Sequence, residues 1–145
     1  MKIRTLTFGD LEEAVKIEAA CFRQSWSKAV LEESFSRAWN LFFGAEEGGC
    51  LVAYGCASVI AGEGEILRVA VLEGFRHRGI GRELLEAMEE ASRKQGAKML
   101  MLEVRESNLA ARKLYLHAGF AEEGRRKDYY REPKEDAIIM WKQNL

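Results

Sequence analysis

The stretch "MLMLEVRESNLAARKLYLHAGF" (99–120) sets a carboxylate, Glu103, at the end of a run that otherwise reads as a buried strand. A helical stretch follows at once, carrying Tyr115 among small and apolar residues. Leu or Phe would pack as well at either place. A carboxylate beside an apolar gap can take a proton from an incoming nucleophile, and a phenol nearby can hand one to a departing group. On spacing alone, a solvated strand-end acid and a core aromatic with a wet hydroxyl fit equally well.

A second stretch, "RVAVLEGFRHRGIGRELL" (68–85), has the chemistry of an anion site. A strand ends near Val71, and a short loop holds Arg76, His77 and Arg78. Gly79 and Gly81 straddle the start of a helix at Ile80 and Arg82. Backbone N–H groups at a helix N-terminus lack internal partners, glycines let a ligand approach them, and arginines add charge-assisted hydrogen bonds to phosphate oxygens. The helix lacks the GKS or GKT of a P-loop and no GxGxxG precedes it, which argues against nucleoside triphosphate and dinucleotide sites.

The elements that must position these groups follow from periodicity. Residues 2–6 read as a strand. "TFGD" reads as a capping box opening a helix over 10–22, whose Leu11, Ala14, Val15, Glu18 and Phe22 recur at helical spacing. "SWSKAVLEESFSR" reads as a short helix capped by Ser27, and residues 41–73 as three strands of an antiparallel meander broken by Gly-rich turns. A helix from Gly79 to Gly96, a strand over 98–105 and a helix over 108–118 come next. Two closing strands, "FAEEGRRKDYY" and "EDAIIMWKQ", flank the loop with Pro133, the only proline. The order predicts a mixed α/β arrangement with one sheet covered by helices, undivided by linkers or repeats.

Composition bounds the function classes. With 145 residues, 48% hydrophobic and 31% charged, the chain has the size and balance of one globular domain. With 22 basic against 23 acidic residues and a net charge of -1, it has no general pull toward nucleic acid or anionic lipid. The basic run at 125–127 reads as a solvated strand end, and no run reaches the ~20 apolar residues of a membrane span. The charged N-terminus has no apolar signal core, so a cytoplasmic location is expected. Cys21, Cys50 and Cys56 show no CxxC spacing and read as core thiols, while His77 and His117 lack partners at metal-ligand spacing.

Together these residues resemble the GCN5-related N-acetyltransferases (GNAT), whose pyrophosphate signature Q/R-x-x-G-x-G/A is matched by Arg76, Gly79 and Gly81. Within that superfamily the sequence is most similar to the RimI family, the N-terminal alanine acetyltransferases of a small-subunit ribosomal protein. The likeness is carried by "LEVRESNLAARKLYLHAGF", "RRKDYY" and "EDAIIM" in order and spacing, and it covers nearly the whole chain.

The resemblance implies one acetyltransferase domain over 1–145, with a mixed, mostly antiparallel central sheet, two splayed parallel strands and helices on both faces. It implies acetyl-coenzyme A as co-substrate, no metal, and a protein N-terminus as acceptor, with no direct nucleic-acid or membrane partner. In the family, backbone amides at Val69, Ala70 and Val71 hold the pantetheine. Arg76, His77, Arg78, Gly79, Ile80, Gly81 and Arg82 would bind the pyrophosphate, and Asn108 would contact the cofactor. Glu103 resembles the family's general base and Tyr115 its general acid. Trp26 and Ser27 match a PWS loop on the acceptor side, with Ser25 in place of proline. Trp26, Tyr129, Tyr130 and Asp136, with Glu135 beside it, are the acceptor-groove candidates. The alternatives are the same chemistry on a small amine or a wider set of N-termini, and a non-catalytic coenzyme A module. Joint presence of Glu103, Asn108 and Tyr115 argues against the last.

Overall fold

A computed structural model describes residues 1–145. Strand β1 (Lys2–Thr5) leads through a single 3-10 turn into α1 (Leu11–Cys21), and the turn is fixed by Thr7 N–H donating to Asp10 Oδ2 at 2.7 Å. Helix α2 (Lys28–Ser36) begins at Ser27, whose Oγ accepts from Val30 N–H at 3.2 Å. The meander is β2 (Asn40–Glu47), β3 (Cys50–Ile60) and β4 (Glu63–Val71). Helix α3 (Ile80–Lys94), strand β5 (Met99–Arg105), helix α4 (Leu109–His117) and the hairpin β6 (Ala121–Arg131) and β7 (Lys134–Lys142) complete the chain.

The strands form one seven-stranded sheet in the order β1-β2-β3-β4-β5-β7-β6, with β4 and β5 as its one parallel pair. On one face, α3 and α4 bury Leu84, Leu85, Met88, Leu102, Val104 and Tyr115 against the sheet. On the other, α1 and α2 cover the β2–β4 half, burying Leu6, Ile17, Leu31, Tyr54 and Ala70. Burial of such side chains, each worth roughly 1.5–3 kcal/mol, holds the layers together. Glu89 of α3 draws Arg93, as the four-residue spacing predicts, and also takes Lys142 Nζ at 2.7 Å, tying α3 to β7.

One cysteine departs from the reading of all three as core thiols. Cys56 is buried and Cys21 partly buried, but Cys50 is exposed, because it opens β3 directly after the Gly48–Gly49 turn.

Candidate active site

The parallel pairing between β4 and β5 runs from Glu63↔Met99 to Glu65↔Met101 and stops. Beyond it the strands diverge: residues 66–71 keep only β3 as a neighbour, and residues 102–105 only β7. A bulge on β4, where Cys56 pairs with Arg68 and Ala57 with Ile66, leaves Leu67 unmatched and turns the strand away.

The free edge of β4 presents backbone groups to this gap. Leu72 N–H donates to Val52 C=O at 2.9 Å, so by antiparallel alternation Ala70 hydrogen-bonds across to Tyr54. Val69 and Val71 therefore turn their N–H and C=O groups toward β5. The Val71 carbonyl is taken by Arg76 Nε at 2.9 Å, and Cys21 Sγ lies 3.4 Å from it. The Nε of the exposed Arg76 side chain is thus turned back onto the strand end.

The loop above the gap ends in a helix start of the kind its glycines announce. His77 and Gly79 both have positive φ, at 65° and 80°, and Gly79 is the residue before α3. The first helical bond there is Glu83 N–H to Gly79 C=O at 3.1 Å, which leaves the amides of Ile80, Gly81 and Arg82 without helical partners. A Cβ on Gly81 would lie 3.4 Å from Leu114 and 3.7 Å from Val71, so this glycine keeps the top of the gap open between α3, α4 and β4. The unpaired amides of Val69 and Val71 and those of α3 suit a long ligand with an amide-bearing arm and an anionic end.

The gap opens into a cleft of about 220 Å³. Its floor includes Leu102, Val104, Ala111 and Tyr115, and its walls include Glu103, Arg68, Asn108 and Tyr130. Along β5, Leu102 and Val104 join the core under α3 and α4, so Glu103 between them faces the opposite side of the sheet. Glu103 and Tyr115 consequently reach the same cleft from opposite faces, through the hole left by the splayed strands.

Glu103 is 16% exposed, and Arg126 Nε of β6 lies 2.8 Å from its Oε2, off the line a hydrogen bond requires. Glu65, on the same face at the last paired position, is held above the usual carboxylate range, first by burial and then by the charge of Glu103. Tyr115 is 7% exposed, with its ring edge-on to Phe120 at 5.9 Å. Burial, and secondarily Tyr130, pushes its phenol well above the ordinary value, so the proton stays on the oxygen through the neutral range. Asn108 lines the cleft, but its Oδ1 accepts Ala111 N–H at 3.2 Å as the cap of α4, which leaves its amide nitrogen for any ligand.

The acceptor candidates divide. Tyr130 faces the cleft beneath the Arg105 guanidinium at 4.2 Å, and its phenol is pushed up to about 12, first by burial and then by Glu103. Tyr129 is exposed and packs edge-on to Tyr130 at 5.1 Å. Asp136 is not brought to the cleft: it accepts from Arg125 at 2.7 Å and from Asp128 N–H at 2.8 Å, and these bonds hold it below the usual range. Glu135 is likewise engaged, with Arg105 at 3.1 Å and Ser107 N–H at 2.6 Å. Asp136 braces the β6–β7 hairpin internally, and Glu135 ties β7 to the end of β5 and the turn after it. Two residues of the basic run are paired within the fold, Arg125 with Glu106 and Asp136, and Arg126 with Glu103.

The sequence reading missed a buried charge network behind Trp26. Glu18 is fully buried in α1; it accepts from Tyr54 OH, from Trp26 N–H at 3.0 Å, and faces Arg68 Nε at 3.0 Å. The Arg68 guanidinium lies between the rings of Phe22 and Trp26, at 4.5 and 4.4 Å. The signal was present: Glu18 sits at an apolar position of α1, and a carboxylate there needs a buried partner. No group of three or more His, Cys, Asp or Glu side chains is arranged to hold a metal ion.

A profile of the Acetyltransferase (GNAT) family matches residues 11–120. The chain belongs to that family. This GNAT protein is therefore an acetyl-coenzyme A-dependent N-acetyltransferase, and the splayed β4–β5 pair is the feature of its sheet that sets the cleft. It is 34% identical over 140 residues to the [ribosomal protein bS18]-alanine N-acetyltransferase of Escherichia coli, covering 95% of this chain and 94% of that one. The crystal structure of the ribosomal-protein-S18-alanine N-acetyltransferase from Escherichia coli superposes with a TM-score of 0.90 at 33% identity, covering 99% and 93% of the two chains. The PaiA N-acetyltransferase from Thermoplasma acidophilum, in complex with coenzyme A, superposes at 0.82 with 25% identity over 98% of each chain. No helix of this GNAT chain is long and apolar enough to cross a membrane.

Proposed function

We propose that this enzyme acetylates the N-terminal α-amino group of a protein, with the N-terminal alanine of ribosomal protein bS18 as its acceptor. The reading rests on one arrangement: Glu103 enters the cleft from the face that α1, α2 and the β6–β7 hairpin leave open, while Tyr115 enters from the other. Similarity to the bS18 enzymes along nearly the whole chain supports that choice of acceptor.

In this reading the amides of Val69 and Val71 hold the pantetheine arm in the gap. The free amides of Ile80, Gly81 and Arg82, with Arg76, His77 and Arg78 around them, receive the pyrophosphate, and the Asn108 amide nitrogen touches the arm from the side. An α-amine has a pKa of about 8 and arrives mostly as an ammonium. Glu103 takes its proton, directly or through one water, and the nitrogen lone pair then attacks the thioester carbonyl carbon. A backbone N–H on the open edge of β4 opposes the charge that grows on the carbonyl oxygen.

Collapse breaks the carbon–sulfur bond and leaves a thiolate on the Tyr115 side. Because burial keeps the phenol protonated, Tyr115 donates a hydrogen bond to that sulfur. As coenzyme A departs the sulfur takes the phenol proton, the second proton of the attacking nitrogen passes through water to restore the phenol, and Glu103 returns the first proton to solvent. Tyr130, with Tyr129 outside, forms a wall along which the acceptor chain enters, and Trp26 stands behind it against Arg68.

The test is acetyl transfer from acetyl-coenzyme A to a panel of N-terminal peptides and small amines, followed by mass. Transfer to an Ala-initiated bS18 peptide in preference to the rest is the expected result. Transfer only to polyamines or aminoglycosides would overturn the proposal.

A further inference from the structure

Arg68 pairs with the buried Glu18 and also lines the candidate active-site cleft. Its guanidinium packs against the Phe22 and Trp26 rings, and its Nε lies 3.0 Å from the buried Glu18 carboxylate, its one ionic partner, off the line a hydrogen bond requires. Glu18 is in turn immobilised by Tyr54 OH and Trp26 N–H. The side chain is 21% exposed, and Arg68 lines the cleft that also holds Glu103 and Tyr130. No protein acceptor meets the terminal amino groups. A rigid fork of N–H donors therefore stands at the acceptor face, next along the strand to Val69, whose backbone opens on the gap.

We infer that Arg68 is a specificity-determining residue that hydrogen-bonds the first carbonyl oxygen of the acceptor chain, and so separates peptide α-amines from simple alkyl amines. The inference rests on the reading of this cleft as the acceptor site. In a peptide N-terminus a single carbon separates the amine from the first carbonyl carbon, so a chain whose nitrogen is at Glu103 carries that oxygen into the same small cleft. With Glu18 balancing its charge, Arg68 offers directed donors rather than a net positive field, which suits a neutral carbonyl. A polyamine or a lysine side chain has no oxygen at this place. The donors then stay unpaired when such an amine expels the water around them, and that opposes its binding.

The arrangement also gives Trp26 a role distinct from touching the acceptor. Its ring and its backbone N–H both hold the Arg68–Glu18 pair, so the loop between α1 and α2 orients the donor fork. This makes Trp26 a positioning residue in the same device.

The experiment compares an Ala-initiated peptide with two isosteres of its first peptide bond, the (E)-alkene, which keeps the shape and loses both the carbonyl oxygen and the N–H, and the ester, which loses only the N–H and so isolates the oxygen. The wild-type enzyme should favour the ester over the alkene in kcat/KM by about tenfold to a hundredfold, the scale of a hydrogen bond to a charged group. In Arg68→Met that ratio should fall toward one. A partly unfolded variant lowers both rates alike, so the ratio is insensitive to a purely structural role. Arg68→Lys, which keeps a cation beside Glu18 with a shorter reach, carries the same test if the methionine variant does not fold. A ratio unchanged from wild type in the folded variant overturns the inference. Should the wild type acetylate no peptide at all, the proposed acceptor falls separately. Calorimetric affinities of the two isosteres for coenzyme A-loaded enzyme then read Arg68 alone, and equal wild-type affinities would overturn its role.

Discussion

In the proposed mechanism, replacing Glu103 by Gln removes the proton acceptor with little cost to the fold. The residue's strand pairing with Ile139 is a backbone matter, and its ionic partner Arg126 is 56% exposed. Losing so exposed a pair costs at most about 1 kcal/mol. The chemical cost is far larger, because general-base loss lowers rates by about 10² to 10⁴, or roughly 2.7–5.5 kcal/mol of barrier. The pH dependence separates this from a packing defect. For an α-amine with a pKa of about 8, the free-amine fraction rises from about 0.09 at pH 7 to about 0.9 at pH 9. Glu103→Gln should therefore regain about tenfold in kcat/KM across that interval, since solvent then does what the carboxylate did. The wild type should gain less, because its base already removes the proton at pH 7. A continuous assay of the coenzyme A thiol released, with an Ala-initiated peptide at low concentration, reads both profiles. Full activity of Glu103→Gln at pH 7, or two profiles that run parallel, would remove Glu103 from the mechanism.

Tyr115→Phe keeps the ring against Phe120, so cofactor affinity should hold while transfer from acetyl-coenzyme A slows about tenfold or more. With an aryl thioester donor, whose thiolate leaves unaided, the loss should be smaller, and equal losses with both donors would make Tyr115 a packing residue. Gly81→Val places branched methyls between Leu114 and Val71 at the top of the gap and should weaken coenzyme A binding by about tenfold in calorimetry, the scale of one charged hydrogen bond. Gly81→Ala should do much less, and unchanged affinity in the valine variant would contradict the pyrophosphate assignment. Asp10→Asn breaks the two-pronged contact with Arg4, at 2.8 and 3.0 Å, and should lower stability in urea at pH 7 by about 1–2 kcal/mol. Arg4 depresses the folded-state pKa of Asp10 below its ordinary 3.8, so the wild-type advantage is full above that value and shrinks as pH falls through the folded one.

Local signals placed the elements well. The Thr7–Asp10 box, the Ser27 cap and the change to helical period after Gly79 each specify a boundary through backbone N–H groups that need partners, and those partners lie within a few residues. Glu103 and Tyr115 stood out in the sequence because each is an ionisable group where an apolar one would pack, and the structure places both on one cleft. What the sequence left open was long-range pairing. Asp136 and Tyr130 are both polar candidates of one hairpin, and only the register with β6 and β5 sends Tyr130 to the cleft and Asp136 to Arg125. Arg68 was invisible for the same reason, since its partners Glu18, Phe22 and Trp26 lie on a helix and a loop more than forty residues upstream. Arg76 was read by its motif as a pyrophosphate contact, and its Nε donation to the carbonyl of Val71 is a further long-range detail that the motif does not announce.

The central claim is that the β4–β5 gap holds the cofactor arm while the face bearing Glu103 holds a peptide N-terminus, both at once. A bisubstrate conjugate, coenzyme A joined through its sulfur by an acetyl bridge to the α-nitrogen of an Ala-initiated bS18 peptide, tests it in a single binding measurement. The account predicts that calorimetry will show this conjugate binding far more tightly than coenzyme A alone, and more tightly than the matching polyamine conjugate. Affinity no better than that of coenzyme A, or a preference for the polyamine conjugate, would contradict it.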